Sequence, residues 1–178
     1  MVCTMVAQDS KAPDWENPEV VAINKLPAHV QTVPYASLAE ALKGDWPSSA
    51  FYQSLNGEWK FNWSVNPKQR PADFYKTDYD AGDWKTIPVP SNWELHGYGV
   101  PIYVNIPYEW TRDPQPPVVP KDRNPVGSYI TTFTIPQEWQ KREVVLHFGA
   151  VKSAMYVWVN GEMVGYSQGS KLPAEFNI

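Results

Sequence analysis

The fold is decided by the stretch SYITTFTIPQEWQKREVVLHFGAVKSAMYVWVNGEMVGY, which runs from Ser128 to Tyr166. In three segments its residues alternate between two kinds of side chain, which is the pattern of half-buried β-strands. The residues that share one face are Tyr129, Thr131, Phe133 and Ile135 in the first segment, Val144, Leu146 and Phe148 in the second, and Met155, Val157 and Val159 in the third. Asn160-Gly161 then predicts a two-residue hairpin turn. Connections this short favour antiparallel pairing.

The same alternation occurs earlier in the chain. Trp59, Phe61 and Trp63 alternate with polar residues, so one strand carries three large rings on one face. That face needs a second layer to cover it. Lys85 to Val89 is a further short extended segment. Two layers of short antiparallel strands predict an all-β fold, specifically a β-sandwich.

Helical signals are sparse, because 18 prolines and 10 glycines interrupt the chain along its whole length. One short helix is predicted from Ser37 to Lys43. Ser37 and Glu40 have the spacing of a capping box, and Gly44 is a suitable stop. Its apolar residues, which we expect to pack against the rest of the domain, are Leu38, Ala41 and Leu42.

Composition excludes several classes of partner. The 178 residues carry a net charge of −4 without any cluster of lysine or arginine, which argues against nucleic acid. No apolar run is long enough to span a membrane. A single cysteine, Cys3, excludes an internal disulfide. Residues 1–8 resemble the end of a signal peptide, which would place the protein in the periplasm or outside the cell; otherwise a cytoplasmic location is expected.

The stretch IPVPSNWELHGYGVPIYVNIPYEW, from Ile87 to Trp110, has a composition suited to ligand binding. Its prolines and glycines predict an ordered loop that joins strands. Aromatic rings and neutral amides such as Asn92 and Asn105 suit an uncharged polyhydroxylated ligand, whose CH face lies on a ring while its hydroxyls bond to amides. The alternative is that the rings only pack the loop onto a sheet.

Signs of catalysis within the chain are weak. His29, His96 and His147 are far apart and have no metal-ligand spacing, and His147 is interpreted as a surface residue of a strand. No nucleophilic-serine motif or phosphate loop occurs. Glycoside hydrolysis requires two facing carboxylates. The nearby candidates are Glu94, Glu109 and Asp113, and their spacing does not show that any two converge.

Four segments together resemble a known family: Leu55 to Phe61 (LNGEWKF), Val89 to Trp110 (VPSNWELHGYGVPIYVNIPYEW), Asn124 to Tyr129 (NPVGSY) and Val151 to Ile178 (VKSAMYVWVNGEMVGYSQGSKLPAEFNI). They are similar to the N-terminal sugar-binding domain of bacterial β-galactosidases of glycoside hydrolase family 2. The resemblance implies a jelly-roll β-sandwich set against a catalytic TIM barrel. It also implies that the family domain continues beyond Ile178, so that this sandwich lacks its last strands.

The resemblance assigns one residue of the stretch to the sugar. The family motif P-x-Y-x-N-V carries an asparagine that bonds the galactosyl hydroxyls, and the matching residue here is Asn105. Ile106 stands where valine is commoner, and Ile106, Tyr103 and Trp110 are weaker candidates for the substrate site. No catalytic residue and no metal ligand is expected in this chain.

The chain is interpreted as three parts. Residues 1–14 are a signal remnant or disordered terminus, residues 15–50 an extended arm with one short helix, and residues 51–178 the incomplete jelly-roll domain. The implied parent hydrolyses terminal β-D-galactosides with retention, as a homo-oligomer, with Mg²⁺ and Na⁺ as its ions. The chain itself is expected to bind no cofactor and to be inactive alone. The alternatives are a non-catalytic carbohydrate-binding module, or an interface sandwich of a β-glucuronidase or β-mannosidase.

Overall fold

A computed structural model of the chain describes residues 12–102, 111 and 113–178. Within these residues the helix α1 (Leu38–Ala41) is the one α-helix, and short 3-10 turns join many of the other elements. No helix in this part of the chain is long and apolar enough to cross a membrane. The strands are β1 (Ala22–Ile23), β2 (Gly57–Ser64), β3 (Lys85–Val89), β4 (Val126–Ile130), β5 (Val145–Phe148), β6 (Ala154–Val159), β7 (Glu162–Gln168) and β8 (Ala174–Asn177).

The strands form three antiparallel sheets. One has the order β1-β7-β6, the second the order β3-β2-β4, and the third pairs β5 with β8. The all-β sandwich class is therefore confirmed. The hairpin between β6 and β7 is confirmed as well: Asn160 and Gly161 have φ of 51° and 88°, and Val159 pairs with Glu162 across the turn. Positive φ at both central residues is what a type I′ turn requires.

The strand predicted to run on to Ile135 is shorter than expected. Strand β4 ends at Ile130, which pairs with Lys60 of β2. Residues 131–136 have no strand assignment. A period of two residues indicates which face a side chain occupies in an extended chain, but it does not indicate where the partner strand stops.

The predicted helix starts where its cap predicts, but its apolar face is not buried. The Glu40 amide donates to Ser37 Oγ at 3.2 Å, and the Ala36 amide donates to Glu40 Oε2 at 3.3 Å. Leu38 and Leu42 are 74% and 78% exposed, so the expectation that they pack was wrong. A cap is a local signal, whereas burial depends on which other segment passes over the helix.

One apolar core lies where the first and third sheets meet. Val157, Ala174 and Phe176 are buried there, and partly buried side chains surround them, namely Leu146, Phe148, Met155 and Val164. Phe176 is fully buried and meets the ring of Phe148 edge to face at 6.3 Å between centroids. This core joins strands β5 to β8 into one unit.

Gly165 of β7 lies between residues from near the two ends of the chain, Ile23 and Phe176. A Cβ at this position would lie 2.5 Å from the Ile23 carbonyl oxygen and 2.5 Å from Phe176 Cε1. Only glycine fits, since real Cβ contacts are far longer. The N-terminal arm contributes β1 to this sheet, a pairing that no period in the arm's sequence indicated.

Candidate functional site

The residues predicted to meet the sugar lie outside the described residues. This applies to Tyr103, Asn105, Ile106 and Trp110, and also to the carboxylate candidate Glu109. The structure describes the first part of their loop as far as Ile102, together with the sheet beneath it. The site is therefore built from these supporting elements.

A cluster of four rings anchors the start of the loop. Phe61 of β2 is 2% exposed and lies at its centre. The ring of Tyr98 meets it edge-on at 4.8 Å, the ring of Tyr129 lies at 4.7 Å, and the ring of Trp93 lies at 6.2 Å. Trp93 and Tyr98 therefore pack the loop onto the sheet, as the packing alternative predicts for these two residues. Such ring pairs contribute about 0.5–1.5 kcal/mol each beyond their buried area.

The loop over this cluster has a defined local conformation. Trp93–His96 forms a 3-10 turn, and Gly97 ends it with φ of 84°, donating its amide to the Glu94 carbonyl. Glycine suits this left-handed position because it has no Cβ to clash. The His96 ring is hydrogen-bonded to Ser91 Oγ at 2.6 Å. This hydrogen bond links two residues of the loop that precedes residues 103–110.

A cavity of about 530 Å³ opens beside the ring cluster. It forms because β3 begins at Lys85, opposite Phe61, whereas β2 continues to Ser64. The loop before β3 passes beside the end of β2, and the recess lies between them. The lining residues come from β2, from that loop and the first residue of β3, and from Tyr98: Phe61, Asn62, Trp63, Tyr79, Asp80, Asp83, Trp84, Lys85 and Tyr98.

Hydrogen bonds hold the wall of this cavity in place. Lys60 Nζ donates to the carbonyl oxygens of Gly82 and Trp84, both at 3.1 Å. Asp80 Oδ1 accepts the Gly82 amide at 2.8 Å, which closes a local turn. Trp84 is buried at 9% exposure and packs against Phe74 and Tyr79. The cavity is therefore bounded by ordered residues.

The cavity lining combines aromatic rings with hydrogen-bonding side chains. Half-buried rings from Trp63, Tyr79 and Tyr98 offer apolar faces, while Asn62, Asp83 and Lys85 offer hydrogen-bonding groups. Sequence reasoning missed this recess because its residues come from separate segments. The alternation in β2 was the available signal for two of its rings, Phe61 and Trp63.

One titratable group beneath the loop, Tyr129, has a clearly perturbed pKa. Burial and the Glu94 carboxylate raise the pKa of Tyr129 to about 12, so the phenol stays neutral at ordinary pH. Asp113 is exposed and accepts a hydrogen bond from Gln115 at 3.1 Å. Among the described residues, no three His, Cys, Asp or Glu side chains are grouped so that they could hold a metal ion.

The structure also joins residues that the sequence left separate. His29 of the arm and His147 of β5 both contact the carboxylate of Glu175 on β8, at 2.5 and 2.8 Å. His147 lies on a strand, as interpreted, and its side chain is 29% exposed and bonded to Glu175. No sequence spacing could reveal this cluster, because His29 and Glu175 are 146 residues apart.

Comparison with known proteins identifies the family. The model described as "Glycosyl hydrolases family 2, sugar binding domain" matches residues 52–178. A protein named "Beta-galactosidase" from Priestia megaterium is 45% identical over 93% of this chain, and a namesake from Halalkalibacterium halodurans is 45% identical over 89%. In both cases the chain covers only 16% of the relative.

Among solved structures, the chain is similar to a β-glucuronidase from Ruminococcus gnavus in complex with uronic deoxynojirimycin. The identity is 22% and the TM-score 0.46, over 71% of this chain and 18% of that one. This likeness is too distant to carry a functional inference. The family match extends over most of the chain and includes strands β2 to β8. The chain therefore belongs to the sugar binding domain of the family 2 glycosyl hydrolases.

Proposed function

We propose that this chain is the part of a β-galactosidase that forms one wall of its sugar site. The observation that carries the proposal is the 45% identity to proteins of that name over 93% and 89% of this chain. The chain spans 16% of the length of each of those relatives. The substrate is then a terminal β-D-galactoside, and the remainder of the site comes from the same, longer polypeptide.

Asn105 is the residue proposed to bond the galactosyl hydroxyls. An amide offers one acceptor and two donor hydrogens, so it can serve neighbouring hydroxyls of defined orientation. The chain before it is anchored by Tyr98 on Phe61 and by the Trp93–His96 turn. Ile106, Tyr103 and Trp110 are proposed to have weaker, supporting roles.

The catalytic chemistry is proposed to lie elsewhere in the polypeptide. Retaining hydrolysis requires one carboxyl group as acid and base and a second as nucleophile, about 5–5.5 Å apart. Glu94 contributes instead to the surroundings of Tyr129. Mg²⁺ and Na⁺ are proposed to be ions of the longer protein. We expect the isolated chain to hydrolyse no galactoside and the full-length protein to be a homo-oligomer.

The test compares two asparagines of the same loop in the full-length enzyme. Asn105→Ala should lower kcat/KM for a nitrophenyl β-galactoside by roughly tenfold to a hundredfold, the effect of about 1–3 kcal/mol of lost hydrogen bonding. Asn92→Ala is the control, because Asn92 is exposed and its side chain makes no capping hydrogen bond at the turn it precedes. Equal kinetics for the two variants would contradict the role of Asn105.

A second candidate function is carbohydrate binding by this chain on its own, and the cavity beside β2 favours it. Its rings, carboxylates and amide could hold a sugar without the remainder of the enzyme. Calorimetric titration of the 178-residue chain with galactose tests this candidate. Saturable heat that disappears in Tyr79→Ala would support a free-standing module. A flat titration would leave the domain as a wall of a larger site.

A further inference from the structure

The N-terminal arm crosses the edge of the β5–β8 sheet and is held there by few contacts. The Leu26 amide donates to the Glu175 carbonyl oxygen at 2.9 Å. Before it, Asn24 Nδ2 donates to the Val164 carbonyl at 3.1 Å, and Lys25 Nζ donates to Ser167 Oγ at 3.4 Å. After it, the His29 side chain reaches back to the Glu175 carboxylate. Glu175 therefore engages the arm through both its backbone and its side chain.

The hydrogen bonds of His29 require a proton on both ring nitrogens. Its Nδ1 lies 2.7 Å from the Val30 carbonyl oxygen, which can only accept. Its Nε2 lies 2.5 Å from Glu175 Oε2, which accepts when the carboxyl group is ionised. A neutral imidazole has one donor nitrogen and one acceptor nitrogen, so it could satisfy only one of these contacts. The geometry therefore selects the imidazolium form of His29.

The second histidine of the cluster has a different role. His147 Nδ1 lies 2.8 Å from Glu175 Oε1, and its Nε2 lies 3.3 Å from the side-chain nitrogen of Gln31. An amide nitrogen only donates, so Nε2 of His147 accepts and its Nδ1 donates to the carboxylate. That arrangement needs no charge on His147. His29 and Glu175 are thus the two members of the cluster whose charges the contacts require.

The surroundings of the cluster have one more charged group. This group is Lys25, which lines a small cavity of about 20 Å³ together with His29, His147 and Glu175. The other lining residues are Leu26, Pro27, Ala28, Gln31 and Pro173. This volume holds about one water molecule. The Val30 carbonyl and then the Glu175 carboxylate raise the pKa of His29. Burial alone would raise the pKa of Glu175, but its hydrogen bonds with His147 and His29 outweigh burial and lower it.

We propose that His29, Glu175 and His147 form a pH-dependent clamp that fastens the N-terminal arm to the β5–β8 sheet and loosens when His29 loses its proton. The direction of the pH dependence follows from the pKa shifts of His29 and Glu175. The His29 contribution is complete below the unfolded value of 6.5 and is lost as pH rises through its raised folded pKa. The Glu175 contribution is complete above 4.5 and is lost as pH falls through its lowered folded pKa.

Amide hydrogen exchange of the 178-residue chain tests the clamp at a single reporter. The Leu26 amide, bonded to Glu175, should lose protection as pH rises from 5.5 to 9, after correction for intrinsic exchange, by roughly twofold to fivefold, as for an exposed ion pair. The Ile178 amide, bonded to the Val144 carbonyl beside the same sheet, should not follow it. His29→Gln should start with low protection of Leu26 and show no dependence on pH.

His96→Gln is the matched control, because this histidine is bonded to Ser91 and its contacts lie in a different loop. It should leave the pH profile of Leu26 unchanged. The clamp is refuted if Leu26 and Ile178 lose protection in parallel, or if His29→Gln keeps the pH dependence of the original chain. The experiment does not involve galactoside turnover, so its outcome is independent of the proposed enzymatic role.

Discussion

Gly127 lies directly against the ring of Trp93, so close that a Cβ on Gly127 would sit 2.7 Å from Trp93 Cζ3. The same Cβ would lie 2.8 Å from both Phe61 and Tyr129. Three rings of the cluster therefore pack directly against the backbone of residue 127. The loop that continues to Asn105 starts from this cluster.

Gly127→Ala should destabilise the chain, because three packed rings cannot all move away from one methyl group. We expect a loss of about 1–3 kcal/mol in the free energy of unfolding, measured by urea denaturation. Gly149→Ala is the control. Its Cβ would meet only His147 Nε2, at 3.9 Å, which is an ordinary contact. Similar losses in the two variants would contradict the tight packing of the three rings against residue 127.

Tyr156→Phe should weaken the attachment of the first turn of the arm to β6. The Tyr156 hydroxyl donates to Asp14 Oδ2 at 2.7 Å, and removing a hydrogen bond to a charged group costs about 1–2 kcal/mol. Burial, followed by the contacts with Asp14, raises the pKa of Tyr156. This contribution is therefore complete below pH 10 and is lost as pH rises through the raised folded pKa.

The difference in unfolding free energy between the original chain and Tyr156→Phe should accordingly be constant from pH 7 to about 10 and shrink above it. Denaturation curves at several pH values measure it. Tyr75→Phe provides the comparison, because the Tyr75 ring stacks on Trp158 and its hydroxyl has no hydrogen bond among the described residues. A gap that widens above pH 10 would show that the phenolate form, not the phenol, is favoured at position 156.

Lys60→Met should loosen the wall of the cavity while keeping the aliphatic stem of the side chain. Two hydrogen bonds to carbonyl oxygens are lost, which we expect to cost about 1 kcal/mol or slightly more. The Trp84 amide, bonded to the Ala81 carbonyl in the same loop, should exchange faster with deuterated water. Lys68→Met, at an exposed lysine of another turn, should leave this amide unaffected. Equal exchange in the two variants would show that the loop holds without Lys60.

Local signals predicted the elements that are formed by local forces. Asn160-Gly161 gave the hairpin between β6 and β7, because both residues tolerate positive φ. Alternation in β2 gave the buried position of Phe61, because a strand with one covered face must place its rings there. Ser37 gave the start of α1 through a bond to the amide three residues on.

Features that depend on distant segments could not be predicted from the sequence pattern. The exposure of Leu38, the end of β4 at Ile130 and the pairing of β1 each depend on where another segment passes. The contact of His29 with Glu175 is of the same kind, since 146 positions separate the two residues. Residue type indicated that these groups could bond, but only the fold decides which of them meet.

A substitution at Gly165 would test how the N-terminal arm and the last strand are attached to β7. Its missing side chain lets the Ile23 carbonyl and the Phe176 ring approach the same point of β7. A single added methyl group would act there as a wedge, forcing the backbone of the arm and the aromatic ring of the last strand to compete for one space. Alanine at this position would therefore show which of the two segments is held less strongly against β7, because that segment would be the one displaced.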